Sequence, residues 1–199
     1  MGQELRQYFI LTILKLRFFY LRKKNKNSLA IGKYVTFFGF PILSLCQGSS
    51  IKIGNNVTFR SHSKYNALGI NHPVILSTMS PNAEIIIGND VGLSGVSICA
   101  IKRVQIGSRS LIGANVKVMD TDFHPLSPIN RHLTGAEKAD YAEVSIGCNV
   151  FVGANSLILK GVSIGDNSVI GAGSVVVGNI PKNVIAAGNP CKVIRKLDA

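Results

Sequence analysis

From residue 146 onward the apolar positions recur every six residues. The chain divides into IGCNVF, VGANSL, ILKGVS, IGDNSV, IGAGSV and VVGNIP, each opening on Ile or Val, with Gly frequent at the second place and Val, Ser or Ile at the fifth. The same frame surfaces earlier as IGKYVT at 31, IGNNVT at 53, IGNDVG at 87, IGSRSL at 106 and IGANVK at 112. A six-residue period predicts one short strand and one corner per unit, with three units closing a coil of about 18 residues. The opening aliphatics Ile146, Val152, Ile158, Ile164, Ile170 and Val176 then point inward and stack on their counterparts one coil away. Asn or Gly at the corners tolerates left-handed backbone angles. A sandwich of short strands explains alternation, but not a six-residue frame held over six successive units. The fold expected is all-β: a parallel β-helix of hexapeptide repeats over residues 29–196.

Two stretches leave the frame. Residues 60–82 (RSHSKYNALGINHPVILSTMSPN) are irregular and are expected to replace or decorate a coil. Residues 119–143 interrupt consecutive coils and open on MDTDFHP. A long excursion from a rigid scaffold is often a functional loop. Residues 1–28 form a separate unit, expected to be a basic, apolar N-terminal helix. Its stretch YFILTILKLRFFYL (residues 8–21) is too short to span a bilayer and is interrupted by Lys15 and Arg17. It lacks a secretory cleavage pattern and a myristoylation motif.

Charge sharpens the reading of that segment. The net charge is +12, and +6 of it lies in residues 1–26 (Arg6, Lys15, Arg17, Arg22, Lys23, Lys24 and Lys26 against Glu4). Hydrophobicity and basic charge occurring together favour a helix lying on an anionic membrane surface through residues 1–26. Packing against the chain's own domain or a neighbouring subunit is the other reading. Nucleic acid is not expected as a partner, because no aromatic–basic interleaving appears. Cys46, Cys99, Cys148 and Cys191 form neither a C-x-x-C pair nor a Cys/His cluster. Free thiols in a reducing cytoplasm are expected, and no metal site.

The break in the frame carries candidate chemistry. Asp120, Asp122 and His124 alternate at period two, so on an extended backbone their side chains share one face. Neutral imidazole, with a pKa near 6.5, suits removal of a proton from an alcohol as it attacks an acyl group. One carboxylate could orient the ring or hold an acceptor. Turn-capping acids and a histidine bonded to its own backbone are the structural alternatives.

The hexads, the DTDFHP loop and the closing IGDNSVIGAGSVVVGNIPKNVIAAGNPCKVIR resemble the left-handed β-helix O-acetyltransferases. That family includes the galactoside and maltose acetyltransferases and bacterial O-acetyltransferases of polysaccharide synthesis. The resemblance covers roughly residues 30–196. It implies left-handed coiling, a homotrimer with active sites between subunits, and acetyl-CoA as donor. It also implies His124 as general base, and of the two carboxylates that alternate with it Asp122 is the one expected to act in catalysis. The Ala154 amide falls at the oxyanion donor. Phe151 falls where galactoside acetyltransferases carry a Trp against the pantetheine, and Ala172 at a small residue whose backbone meets it. Lys192 and Arg195 fall near the nucleotide phosphates. Val177 and Gly178 stand where the family has Thr and Lys, so those contacts differ. On the acceptor side the resemblance points to Ser94 and Ser97, with Asp120 and Arg131 as further candidates and His132 as another loop residue. The Asn of galactoside acetyltransferases is absent, so the acceptor expected is a sugar or oligosaccharide other than a simple galactoside. The implied setting is polysaccharide synthesis in the bacterial cytoplasm, at the inner face of the membrane if the N-terminal segment binds lipid.

Three other readings compete. N-acylation of a nucleotide-linked amino sugar shares the coils and the donor. A γ-class carbonic anhydrase would need three zinc-binding histidines, whereas His62, His72, His124 and His132 lack that spacing. A non-catalytic binding β-helix is permitted by charge alone.

Overall fold

The computed structural model describes residues 28–197. Within them the chain winds through six coils of three short strands. The first coil is β1 (Leu29–Ile31), β2 (Thr36–Phe38) and β3 (Ile42–Ser44). The second is β4 (Ser50–Ile53), β5 (Thr58–Arg60) and β6 (Ile75–Thr78). The third is β7 (Glu84–Ile87), β8 (Gly92–Ser94) and β9 (Ser97–Ala100). The fourth is β10 (Arg103–Ile106), β11 (Leu111–Ile112) and β12 (Lys117–Met119). The fifth is β13 (Val144–Ile146), β14 (Phe151–Val152) and β15 (Leu157–Ile158), and the sixth β16 (Ser163–Ile164), β17 (Val169–Ile170) and β18 (Val175–Val176). Strands β19 (Val184–Gly188) and β20 (Cys191–Lys196) close the chain.

Equivalent strands pair in parallel and form the three faces of a prism. Face 1 runs β1-β4-β7-β10-β13-β16, face 2 runs β2-β5-β8-β11-β14-β17-β19-β20, and face 3 runs β3-β6-β9-β12-β15-β18. Only β20 runs antiparallel, against β19. The hexad-opening residues sit where the period places them. Ile146 is in register with Ile164, Val152 with Ile170 and Ile158 with Val176, all at most 1% exposed. The fifth-place serines are buried too, and each satisfies its hydroxyl on a corner carbonyl. Ser156 donates to Gly153 (2.9 Å), Ser168 to Pro181 (2.7 Å) and Ser174 to Gly171 (2.6 Å). A hydroxyl buried without such an acceptor would be destabilising.

The edge between faces 1 and 2 is a polar ladder. Asn149, Asn167 and Asn183 all adopt positive φ (55°, 60° and 58°), and their amides link in series at 2.9 and 2.8 Å. At the same edge the Asp166 carboxylate accepts the Cys148 amide of the coil before (2.7 Å). A Cβ on Gly147 would collide with that carboxylate, which explains the glycine at the second place.

Both excursions are present, with one revised boundary. Residues 60–82 do not replace a coil. Only 61–74 leave the frame, after which β6 returns between β3 and β9. Leu76, fully buried, restores the core there. The second excursion leaves after β12 and rejoins at β13, with short 3-10 turns at Arg131–Leu133 and Ala136–Lys138. Its base is tied by the Thr121–Tyr141 bridge and by Ala142 donating to the Asp120 carbonyl (2.9 Å). The expected N-terminal helix and its membrane contact lie outside the described residues, save Ser28. Among the described residues no helix is long and apolar enough to cross a membrane.

Candidate active site

The loop from 120 to 143 leaves the prism at the edge between faces 3 and 1. Its opening does not continue extended. Phe123 adopts φ 62°, and its amide donates to Thr121 Oγ1 (3.1 Å). The expected shared face of Asp120, Asp122 and His124 is therefore lost, and the three side chains have separate surroundings.

His124 is exposed. Its Nδ1 lies 3.0 Å from the Thr134 carbonyl oxygen. A carbonyl only accepts, so this contact assigns the proton to Nδ1 and leaves the Nε2 lone pair directed away from it. The Thr134 carbonyl is itself positioned, since its residue donates from Oγ1 to Asn130 (2.9 Å) and from its amide to Arg131 (3.3 Å).

Asp122 lies beside Lys160, with Nζ 2.8 Å from Oδ2. That oxygen is buried, and the contact is an ion pair off the hydrogen-bond direction. The imidazole is thus oriented by a backbone carbonyl and not by Asp122, whose charge moors the loop to the next coil.

Asp120 corrects an expectation. It is fully buried, and its two oxygens accept three backbone amides, from Ile101 (2.7 Å), Lys102 (2.7 Å) and Arg103 (2.8 Å). A carboxylate so enclosed is part of the scaffold and not an acceptor ligand. Arg131 is exposed, and part of its guanidinium is engaged by its own loop. Its Nε donates to the Pro125 (3.0 Å) and Ser127 (3.3 Å) carbonyls, and its Nη2 to the Leu126 carbonyl. The guanidinium curls the loop upon itself. His132 is exposed on the same turn.

The other expected residues gather elsewhere, on face 2 and at the edge between faces 2 and 3. Ser94 ends β8, nearly buried, and Ser97 begins β9, partly buried. Phe151 is 47% exposed and stands in register between Leu111 and Val169. Ala154 and Ala172 occupy the corners of the fifth and sixth coils. This corner repeats the arrangement of Gly147, Cys148 and Asp166, but with Gly153, Ala154 and Ala172. Where Asp166 caps the Cys148 amide, the equivalent residue opposite Gly153 is Ala172, whose side chain has no acceptor. The edge is therefore small, apolar and supplied with an amide that no neighbouring side chain caps, which fits an extended acyl carrier. Lys192 and Arg195 are exposed on β20 at the far end of face 2, where they suit phosphates. Cys191 beside them has its thiol pKa raised by burial, partly offset by a hydrogen bond with Ser174.

Lys160 is the member that sequence reasoning missed. The one signal was a lysine at the third place of ILKGVS, where neighbouring hexads carry Ala, Cys or Asp. Among the described residues no group of three His, Cys, Asp or Glu side chains is placed to hold a metal ion.

Comparison with known proteins adds to this geometry. The family described as bacterial transferase hexapeptide (six repeats) matches residues 143–178. Galactoside O-acetyltransferase of Lactococcus lactis subsp. lactis (strain IL1403) is 47% identical over 95 residues, covering 48% of this chain and 44% of that protein. The chain spans about half the length of the curated relatives it matches. A maltose O-acetyltransferase from Clostridium difficile 630 is similar with a TM-score of 0.51 and 26% identity, over 87% of this chain and 73% of that one. AntD, an N-acyltransferase from Bacillus cereus solved with dTDP and 3-hydroxybutyryl-CoA, reaches a TM-score of 0.67 at 20% identity, over 90% and 88%. At that identity the likeness is one of fold. The architecture is the left-handed parallel β-helix.

Proposed function

We propose that this chain, a hexapeptide-repeat β-helix protein similar to the sugar O-acetyltransferases, transfers the acetyl group of acetyl-CoA to a hydroxyl of a sugar acceptor. The observation that carries the proposal is the His124 ring. Its Nδ1–H is committed to the Thr134 carbonyl at 3.0 Å, which leaves Nε2 as a base on an exposed loop. Nε2 takes the proton of the acceptor hydroxyl as its oxygen attacks the thioester carbonyl. The Ala154 amide holds the developing oxyanion, a contribution on the order of 3 kcal/mol for such a donor. Collapse of the tetrahedral intermediate expels the CoA thiolate, which recovers the proton from the imidazolium.

The donor lies along the Ala154–Ala172 edge, with Phe151 beside its pantetheine and Lys192 and Arg195 toward its phosphates. Ser94 and Ser97 face the acceptor. Within one chain His124 leaves the prism between faces 3 and 1, whereas Ala154 lies between faces 2 and 3. The site is therefore assembled between copies, and a homotrimer closes it. The acceptor belongs to cell-surface polysaccharide synthesis in the cytoplasm, and residues 1–26 bring the enzyme to the membrane that carries it.

Acetyl transfer to cell-derived glycan precursors tests the proposal. His124→Ala is expected to lower kcat/KM by about 10²- to 10⁴-fold while leaving acetyl-CoA binding unchanged. An unaffected rate removes His124 from the mechanism. An alkali-stable product identifies an amide and replaces O- by N-acetylation.

A further inference from the structure

Face 2 carries charge of one sign only. On face 1, Glu84 pairs with Lys52 (2.8 Å) and approaches Arg103 (3.9 Å). The eight strands of face 2 contain no Asp or Glu. Their charged residues are Arg60 at one end and Lys192, Arg195 and Lys196 at the other. The C-terminal cations suit the phosphates of CoA, whereas Arg60 on β5 is separated from them by five strands of face 2 and lies beyond that donor edge.

Arg60 is held by rings. Its guanidinium carbon lies 5.7 Å from the centroid of Phe38, its neighbour across the sheet. Phe38 in turn rests on Tyr65 of the 61–74 loop (5.0 Å), and His62 meets Tyr65 edge-on (6.0 Å). Among the described residues no carboxylate pairs with Arg60 and no acceptor takes its side-chain donors. A guanidinium backed by an aromatic face has little freedom left to lose, and its planar fork fits phosphate oxygens. On its other side Arg60 is in register with Ser94, the residue expected to face the acceptor.

We propose that Arg60, backed by Phe38 and Tyr65, anchors a diphosphate carried by the sugar acceptor. This rests on the proposed acetyl transfer and narrows its substrate class. Along the prism the order becomes Arg60 in the second coil, Ser94 in the third, the His124 loop after the fourth, Ala154 in the fifth and Ala172 in the sixth. At a strand spacing of about 4.8 Å, Arg60 lies roughly 10 Å along the axis from the coil that launches the loop. A glycosyl diphosphate has comparable length. Its source is either a nucleotide sugar or a lipid-linked sugar, which share the diphosphate.

Calorimetric titration of the full chain with inorganic pyrophosphate, CoA present at saturation to occupy the C-terminal cations, tests the assignment. Arg60→Gln is expected to weaken pyrophosphate binding about tenfold or more, Arg60→Lys to give an intermediate loss and Phe38→Leu a few-fold loss. Lys117→Met, which removes a charge from face 3, changes it by less than about twofold. Equal affinity in wild type and Arg60→Gln, or no binding to wild type, overturns the proposal. Titration with UDP and with farnesyl diphosphate identifies the source by which binds more tightly, and both are to depend on Arg60. His124→Ala keeps pyrophosphate binding. If thiol release from acetyl-CoA is insensitive to His124 while pyrophosphate binding still requires Arg60, the acetyl-transfer reading fails and the anion site stands.

Discussion

Asp120 is a carboxylate in a conspicuous motif whose work is structural. Replacing it by Ala leaves three buried amides at 101–103 without their acceptor. The expected loss is on the order of 3–5 kcal/mol of stability, read as a lower urea midpoint with an unchanged slope. DTDFHP was legible as the place where the coils open, because it breaks a frame that holds on both sides. The division of labour among its side chains was not legible. A shared face presumes extended backbone, and Phe123 at φ 62° ends that. The partners that decide each role, the amides at 101–103, Lys160 and the Thr134 carbonyl, lie 10 to 38 residues away in sequence. No local pattern encodes such distances.

At the level of strands and corners, the later hexads were readable because four of the six combine a buried aliphatic with a second-place Gly (Gly147, Gly153, Gly165 and Gly171) whose Cβ would strike the next coil. Strand β6 was not. Its ILST lacks the Gly of the second place, so the irregular stretch read as running to 82 instead of ending at 74. Between strands of face 1, the ion pair of Lys52 with Glu84 is measurable. The Lys52 hydrogen bond is the main cause holding the Glu84 pKa below its ordinary 4.5, with burial opposing. A depressed carboxylate pKa contributes stability above the unfolded value, lost as pH falls through the folded one. Both groups are substantially exposed, so the contribution is below about 1 kcal/mol. Lys52→Met is expected to return the Glu84 titration toward 4.5 in carboxyl-resolved NMR. The stability gap between variant and wild type is expected to close as pH falls below 4.5 through the depressed folded-state value of Glu84.

At the scale of the whole molecule, the proposed base and donor site stand at different edges of the prism with face 3 between them, so the proposed assembly can be tested by mixing. Combine His124→Ala subunits with Lys192→Ala/Arg195→Ala subunits, each impaired alone. If every site draws its imidazole from one chain and its donor face from the next, random reassortment at equal amounts restores about a quarter of wild-type sites. A site contained in one chain recovers nothing. The direction of the final strand bears on a different problem. Parallel coils present an open rung that another chain could lengthen without limit. Strand β20 doubles back against β19 and sets Lys192, Arg195 and Lys196 along that rim. A reversed, cationic border repels its own kind, so the last rung of face 2 is a poor template for a strand from a second copy.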